Sequence, residues 1–465
     1  MAEPGPAHAP AGSRRPLAAV AGSAPVLIAV TLAGSLLAFL EKLPCRDGAW
    51  NNPARQFQLA CYTDIYPLFY SEGLYQGKVP YSGHPVEYPV LIGAVMQAVG
   101  WLTRPVGGAF TRGRAFYDIT TVILVIFAVA GVLATAYLAG RQRRRDALLV
   151  ALSPGLILAA FINWDLIAMA LVALGMAAWA ARRQVLAGVL LGLAVATKFY
   201  PLVFFGPLLL LCVRAGRMRA FWTTFAAGAA AWLVVNVPVI IAAPSGWQTF
   251  YLYSKHRPAD WGSIWYFFEM NGVPLLGTGN IAALNILSLG VFGVACVAIA
   301  LLALRASRRP RLGQLCFLVL AAFLLTNKVW SPQYVIWLVP LAVLARPRFG
   351  AYALWQLAEI GYFLAIWWYL LAFPGVASSA SGFHGIGTGW YFAALLARFA
   401  TVTLLCALVV WDVLRPARDV VRAGGRDDPA GGVLDGAPDV FALRGAARAR
   451  PARLIHGESF TAAAG

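Results

Sequence analysis

Residues 182–219, RRQVLAGVLLGLAVATKFYPLVFFGPLLLLCVRAGRMR, decide how this chain is threaded. The stretch is apolar enough for one long helix, but Lys198 and Pro201 interrupt it midway. A proline removes a backbone donor that a helix in lipid has no water to replace. Arg182 and Arg183 precede the stretch, and Arg214, Arg217 and Arg219 follow it. One crossing would put a basic cluster on each side of a membrane, whereas two short crossings put both on the same side. The sequence therefore predicts a helical hairpin with Lys198 at its tip. The same argument turns 313–326 and 334–345 into a second hairpin with Lys328 at its tip, since Arg305, Arg308, Arg309 and Arg311 precede it and Arg346 and Arg348 follow.

Outward from these hairpins the chain stays apolar. Of 465 residues, 60% are hydrophobic and 12% charged, with a mean hydropathy of +0.70, which excludes a soluble domain of ordinary composition. Segments 22–41, 118–140, 219–243, 281–303, 350–372 and 389–413 are each long enough, at about 1.5 Å per residue, to cross a core of about 30 Å. Segments 147–161 and 166–181 form a further short hairpin across Asn163-Trp164-Asp165. The expected fold is an all-α polytopic membrane protein, a bundle of about twelve transmembrane helices over 22–413. Residues 89–103 are also apolar, but a thirteenth crossing would reverse the side of Arg141 to Arg145, so they are read as a helix lying in the interface.

With that threading, 25 of the 37 Lys and Arg residues fall on the side of both termini, 11 on the other side and Arg398 within a span. The excess orients the chain with N- and C-termini cytoplasmic, as a multi-pass protein of the plasma membrane. The formal charge of +18 is dispersed in short clusters between apolar runs, a topogenic pattern that gives no support to a nucleic-acid partner. Residues 1–21 are expected to be a disordered cytoplasmic arm and 414–465 a disordered cytoplasmic tail, both poor in hydrophobic periodicity. The first span ends in Glu41-Lys42-Leu43-Pro44 without a small-residue cleavage pattern and is read as a retained anchor. Outer loops are then 42–117, 244–280 and 373–388; the first two are long, aromatic and more in keeping with function than with linkage. Cys45 and Cys61 share the first of them and could form a disulfide, whereas Cys212, Cys296, Cys316 and Cys406 lie in apolar runs as small hydrophobes.

No P-loop, dinucleotide fingerprint or H-E-x-x-H pattern is present and the five histidines are scattered, so no metal and no cofactor is expected. The residues fit for chemistry lie outside. Asp64, in Tyr62-Thr63-Asp64-Ile65-Tyr66, could serve as a general base if burial raises its pKa, or simply cap the following helix. Glu87, in Val86-Glu87-Tyr88-Pro89, is a second carboxylate with a salt bridge to an arginine as its plain alternative. Asn163 and Asp165 sit at membrane depth or just above it, as a functional site or a solvated turn. Lys198 and Lys328 could pair with a lipid phosphate or merely snorkel. Tyr62 beside Asp64, and Gln333 in the Lys328 segment, complete the substrate-binding candidates. Because nucleotide sugars are cytoplasmic, outward-facing carboxylates suit a donor carried on a lipid phosphate.

Taken together, Tyr62-Thr63-Asp64-Ile65-Tyr66, Val86-Glu87-Tyr88-Pro89-Val90-Leu91, Asn163-Trp164-Asp165, Ala196-Thr197-Lys198-Phe199-Tyr200-Pro201 and Asn327-Lys328-Val329-Trp330-Ser331-Pro332-Gln333-Tyr334 resemble glycosyltransferase family 87. The resemblance runs over roughly 22–413. It implies the GT-C membrane fold with interfacial helices in the first outer loop, and places the family's catalytic Asp at Asp64. Such enzymes, of actinobacteria, use a polyprenyl-phosphate-linked sugar, mannosyl or in some members arabinofuranosyl. The activity implied is an inverting, metal-independent hexosyl transfer to a hydroxyl of a cell-envelope glycolipid or glycan, among membrane lipids. A transporter or flippase is the rival from another class; Glu359, a carboxylate within a span, is the residue that would favour it.

Overall fold

Gln184–Thr197 and Phe205–Ala215 are separate helices, joined by an extended Lys198 (φ −151°, ψ 147°) and a tight turn, Tyr200–Phe204, with Pro201 at its start. The hairpin therefore forms where the proline and the basic flanks require it. The second hairpin forms likewise from Leu312–Thr326 and Val335–Ala345. The computed structural model describes residues 20–273, 279–380, 382–423 and 427–443. Among these the chain is helical, with no strand beyond one isolated bridge between Val79 and Ser82. Six helices are long and apolar enough to cross a membrane: Ala24–Arg46, Ala109–Leu138, Met218–Ala242, Ile281–Arg305, Phe349–Leu371 and Thr388–Leu414.

The hairpin helices form the centre of the bundle. All eleven residues of Val335–Ala345 are buried, as are thirteen of the sixteen in Asp165–Ala180. Met218–Ala242 and Ile281–Arg305 instead leave Ile241, Ile286 and Val294 more than 70% exposed, the surface a span presents to lipid. Met218–Ala242 packs on the first hairpin through glycines. A Cβ on Gly192 would run into the carbonyl of Gly228, and one on Gly188 into that of Thr224, so small residues set this close approach.

Segment 147–161 departs from the single short span expected. It is two brief helices, Leu148–Ala151 and Pro154–Ala159, broken where Pro154 has no N–H to give. The break is sealed from the side: Ser153 Oγ donates to Gln356 Oε1 (2.8 Å), which also accepts from Gly155 N (3.0 Å). Within 42–117, Val90–Leu102 is about 20 Å long, short of a full crossing, and leaves Trp101 and Leu102 exposed at its end, in keeping with an interfacial position. Cys45 and Cys61 are joined in a disulfide that ties the end of the first span to the approach to Asp64.

The tail needs a correction. Residues 415–423 and 427–443, expected to be disordered, pack under the arginine-bearing end of the bundle. Arg311, 3% exposed, donates to Asp419 (2.7 Å) and to the carbonyls of Leu344 and Ala345 (2.7 Å each). Arg309 pairs with Asp439 (2.6 Å), which Arg214 also reaches (2.7 Å). The tail's aspartates match arginines held at the span ends, and that complementarity has no signature in local hydrophobic periodicity. Residues 1–19, with Arg14 and Arg15, and 444–465 lie outside the described residues.

Candidate active site

Opposite the arginine-bearing end, the 42–117 and 244–280 segments and the hairpin tips enclose a cavity of about 790 Å³. Asp64 reaches its wall because Tyr62-Thr63-Asp64 is docked on the tip of the 154–165 segment: Asp64 N donates to Ile162 O (2.7 Å) and Thr63 Oγ1 to Phe161 O (2.7 Å). Helix Ile65–Ser71 starts directly after Asp64, yet the Asp64 side chain makes no capping bond. Thr63 Oγ1 accepts from Ile65 N (3.2 Å) in its place. The capping alternative for Asp64 therefore fails, and its carboxylate is left to the cavity.

There it accepts from Tyr62 Oη (2.6 Å) and Tyr88 Oη (3.4 Å). Burial pushes the carboxyl up to about 6, with the Glu87 charge adding to the rise and the Tyr62 hydrogen bond and Lys198 charge opposing it. A base with a pKa near the working pH is the requirement for proton removal in a transition state. Glu87 lines the same cavity. Its expected partner is otherwise engaged: the cavity's arginine, Arg257, pairs with Asp260 (3.0 Å).

Asn163 and Asp165 are not a solvated turn. Asp165 is fully buried, with Oδ1 3.0 Å from Lys198 Nζ, and its backbone N–H is held by Asn163 Oδ1 (3.0 Å). Asn163 faces the cavity and Asp165 stands behind it, anchoring the ammonium that does. Lys198 Nζ also lies 4.7 Å from the centre of the Tyr88 ring, so lysine, tyrosine and Asp64 form one connected group.

Lys328 lines the cavity but is not equivalent to Lys198. Its Nζ is committed to the carbonyls of Arg257 (2.6 Å) and Lys255 (3.1 Å), and burial together with the Arg257 charge lowers its pKa. Lys328 thereby holds Arg257 in place, and the guanidinium is the second cation on that wall. Gln333 is buried at the wall beside Tyr334, which stacks on Trp337 (3.8 Å), itself stacked on Tyr200 (4.1 Å). The other wall is apolar: Trp367 stacks with Tyr62 (4.5 Å) and Phe57 (5.9 Å), next to Leu370 and Phe373.

All eight candidate residues thus converge, seven lining the cavity and Asp165 directly behind Lys198. Tyr88, Asp260 and Tyr362 line the cavity as well, and none of them is a candidate on sequence grounds. Asp260 is placed by tertiary structure, its N–H donating to Lys328 O (2.8 Å), and nothing local in the sequence marks it.

The cavity thus brings carboxylates, cations and stacked aromatics together, with Lys198 paired to Asp165 and Arg257 to Asp260. No curated protein matches this chain. The profile of glycosyltransferase family 87 matches residues 87–327, taking in Glu87, the Asn163–Asp165 tip, Lys198, Arg257 and Asp260. Asp64 precedes that match, and Lys328 and Gln333 follow it. With more than half its length aligned to the profile, this membrane protein belongs to glycosyltransferase family 87.

Proposed function

We propose that the protein moves a hexosyl residue, mannosyl first among candidates, from a polyprenyl-phosphate donor to a hydroxyl of a cell-envelope glycolipid or glycan on the outer face of the plasma membrane. The observation that carries this is the Asp64 carboxylate, free of capping duty, raised to about 6 and facing a cavity that Lys198 and Arg257 also line. Asp64 takes the proton from the acceptor hydroxyl as its oxygen attacks the anomeric carbon. The bond from that carbon to the phosphate oxygen breaks, and the electron pair leaves with the polyprenyl phosphate, whose charge Lys198 and Arg257 offset. Attack opposite the leaving group inverts the centre, so a β-mannosyl donor gives an α-mannoside. Glu359, the carboxylate that would favour a transporter, is spent in a buried ion pair with Arg398 (3.0 Å).

Purified protein in nanodiscs, given radiolabelled polyprenyl-phospho-mannose or polyprenyl-phospho-arabinofuranose with membrane lipid acceptors, tests the transfer and identifies the sugar. Label appearing in acceptor from neither donor sinks the proposal. A base must be ionised to act, so kcat/KM rises with pH through about 6 and is lost below it. A flat profile between about pH 5 and 7 removes Asp64 from the proton transfer.

The orientation has its own test. Ser82→Cys and Ser379→Cys, both exposed at the cavity end, should react with an impermeant thiol reagent in intact cells, and Gln142→Cys at the opposite end should not. Cys45 and Cys61 are paired, which removes the native outer-loop thiols from the background. Labelling at position 142 alone would reverse the topology.

A further inference from the structure

Two charges lie in the middle of the bundle, away from the cavity carboxylates. Glu359 is the eleventh residue of Phe349–Leu371 and Arg398 the eleventh of Thr388–Leu414, 2% and 0% exposed. An arginine at such depth is costly unless it is paired and its donors are used. Here Nε lies 3.0 Å from the Glu359 carboxylate, which also accepts from Trp355 Nε1 (2.8 Å). The guanidinium is sandwiched between the rings of Trp330 (4.1 Å) and Tyr362 (4.3 Å). Its terminal nitrogens donate to the carbonyls of Trp330 (3.1 Å) and Ser331 (3.4 Å).

Those carbonyls belong to the non-helical stretch between the arms of the second hairpin, which carries Lys328, Ser331 and Gln333 into the cavity wall. Non-helical backbone buried among spans needs its polar groups satisfied from within the protein. The same stretch receives the second outer loop. A Cβ on Gly262 would strike the Trp330 carbonyl, Asp260 N bonds Lys328 O (2.8 Å), and Tyr391, two turns before Arg398 on its helix, bonds Trp261 O (2.7 Å). Asp260 in turn holds Arg257.

We infer that Arg398 is a positioning residue for donor binding: its fork fixes the Trp330-Ser331 backbone, onto which the loop carrying Asp260 and Arg257 closes to make the phosphate-facing wall. This role rests on the proposed use of a polyprenyl-phosphate donor. Arg398 never touches substrate; it acts through the register of two loops. Glu359 is then its counter-ion and has no part in transport.

Arg398→Lys keeps a charge for Glu359 but cannot span both carbonyls. Gly262→Ala changes neither member of the ion pair and pushes the loop off the Trp330 carbonyl and the Tyr362 hydroxyl. Both variants should raise donor KM, and weaken binding of radiolabelled polyprenyl phosphate, by about tenfold or more, with kcat at saturating donor kept within about threefold. Two substitutions on different elements giving the same KM signature is a result that loss of stability alone does not produce. Variants that melt earlier yet keep wild-type donor KM and polyprenyl phosphate binding overturn the positioning role and leave a structural brace. If Arg398→Lys fails to insert, Gly262→Ala decides by the same criterion. A wild type that binds no polyprenyl phosphate overturns the donor assignment itself, and this role with it.

Discussion

Asp64→Asn is expected to cut turnover by about 10²–10⁴-fold, the contribution of a positioned general base, with insertion and donor binding retained. The substitution isolates the proton-accepting function. Asn fills nearly the same volume and can still accept from Tyr62, which now donates at 2.6 Å. The helix start is not disturbed, because Thr63 and not Asp64 caps it. The rise of kcat/KM through about pH 6 should vanish along with the rate. Glu87→Gln is the necessary companion, since Glu87 faces the same cavity. Near-normal transfer by Asp64→Asn together with an inactive Glu87→Gln moves the base to Glu87; two active variants remove the carboxylate mechanism.

Much of this arrangement is legible before any coordinates. Pro201 and the arginines around 182–219 report a hairpin because a break in backbone hydrogen bonding and the side of a basic cluster are both local properties. The same locality brings Lys198 and Asp165 to hairpin tips at one end, though only packing shows that they pair. Other features need partners distant in sequence. Lys198 and Lys328 have similar local settings, yet one faces a carboxylate and the other two carbonyls of the 244–261 loop. Asp260 and Arg398 matter through residues about seventy positions away, so no motif marks them. The tail misleads for a related reason. Low hydrophobicity argues for disorder only when burial of apolar area is the source of order, and here Asp419, Asp427 and Asp439 are ordered by Arg309 and Arg311, in the link between Ile281–Arg305 and Leu312–Thr326.

The Asp165–Lys198 pair carries the second large effect, and it has to be separated into two parts. Asp165 is fully buried, so Lys198→Met leaves its carboxylate without a counter-ion. Removing one partner of such a pair costs about 3–5 kcal/mol, which thermal unfolding of the purified protein will read as a large loss. Replacing both, Lys198→Met with Asp165→Asn, removes the stranded charge and should recover most of that stability. Donor affinity should not follow. A charged hydrogen bond to phosphate is worth about 1.5–3 kcal/mol, roughly ten- to a hundredfold in binding of polyprenyl phosphate, and Met cannot supply it in either background. The double variant is therefore expected to be stable and still weak for donor, with Arg257 as the remaining cation of the wall. Recovery of both stability and affinity in the double variant would show that Lys198 serves Asp165 alone and that the phosphate is held elsewhere.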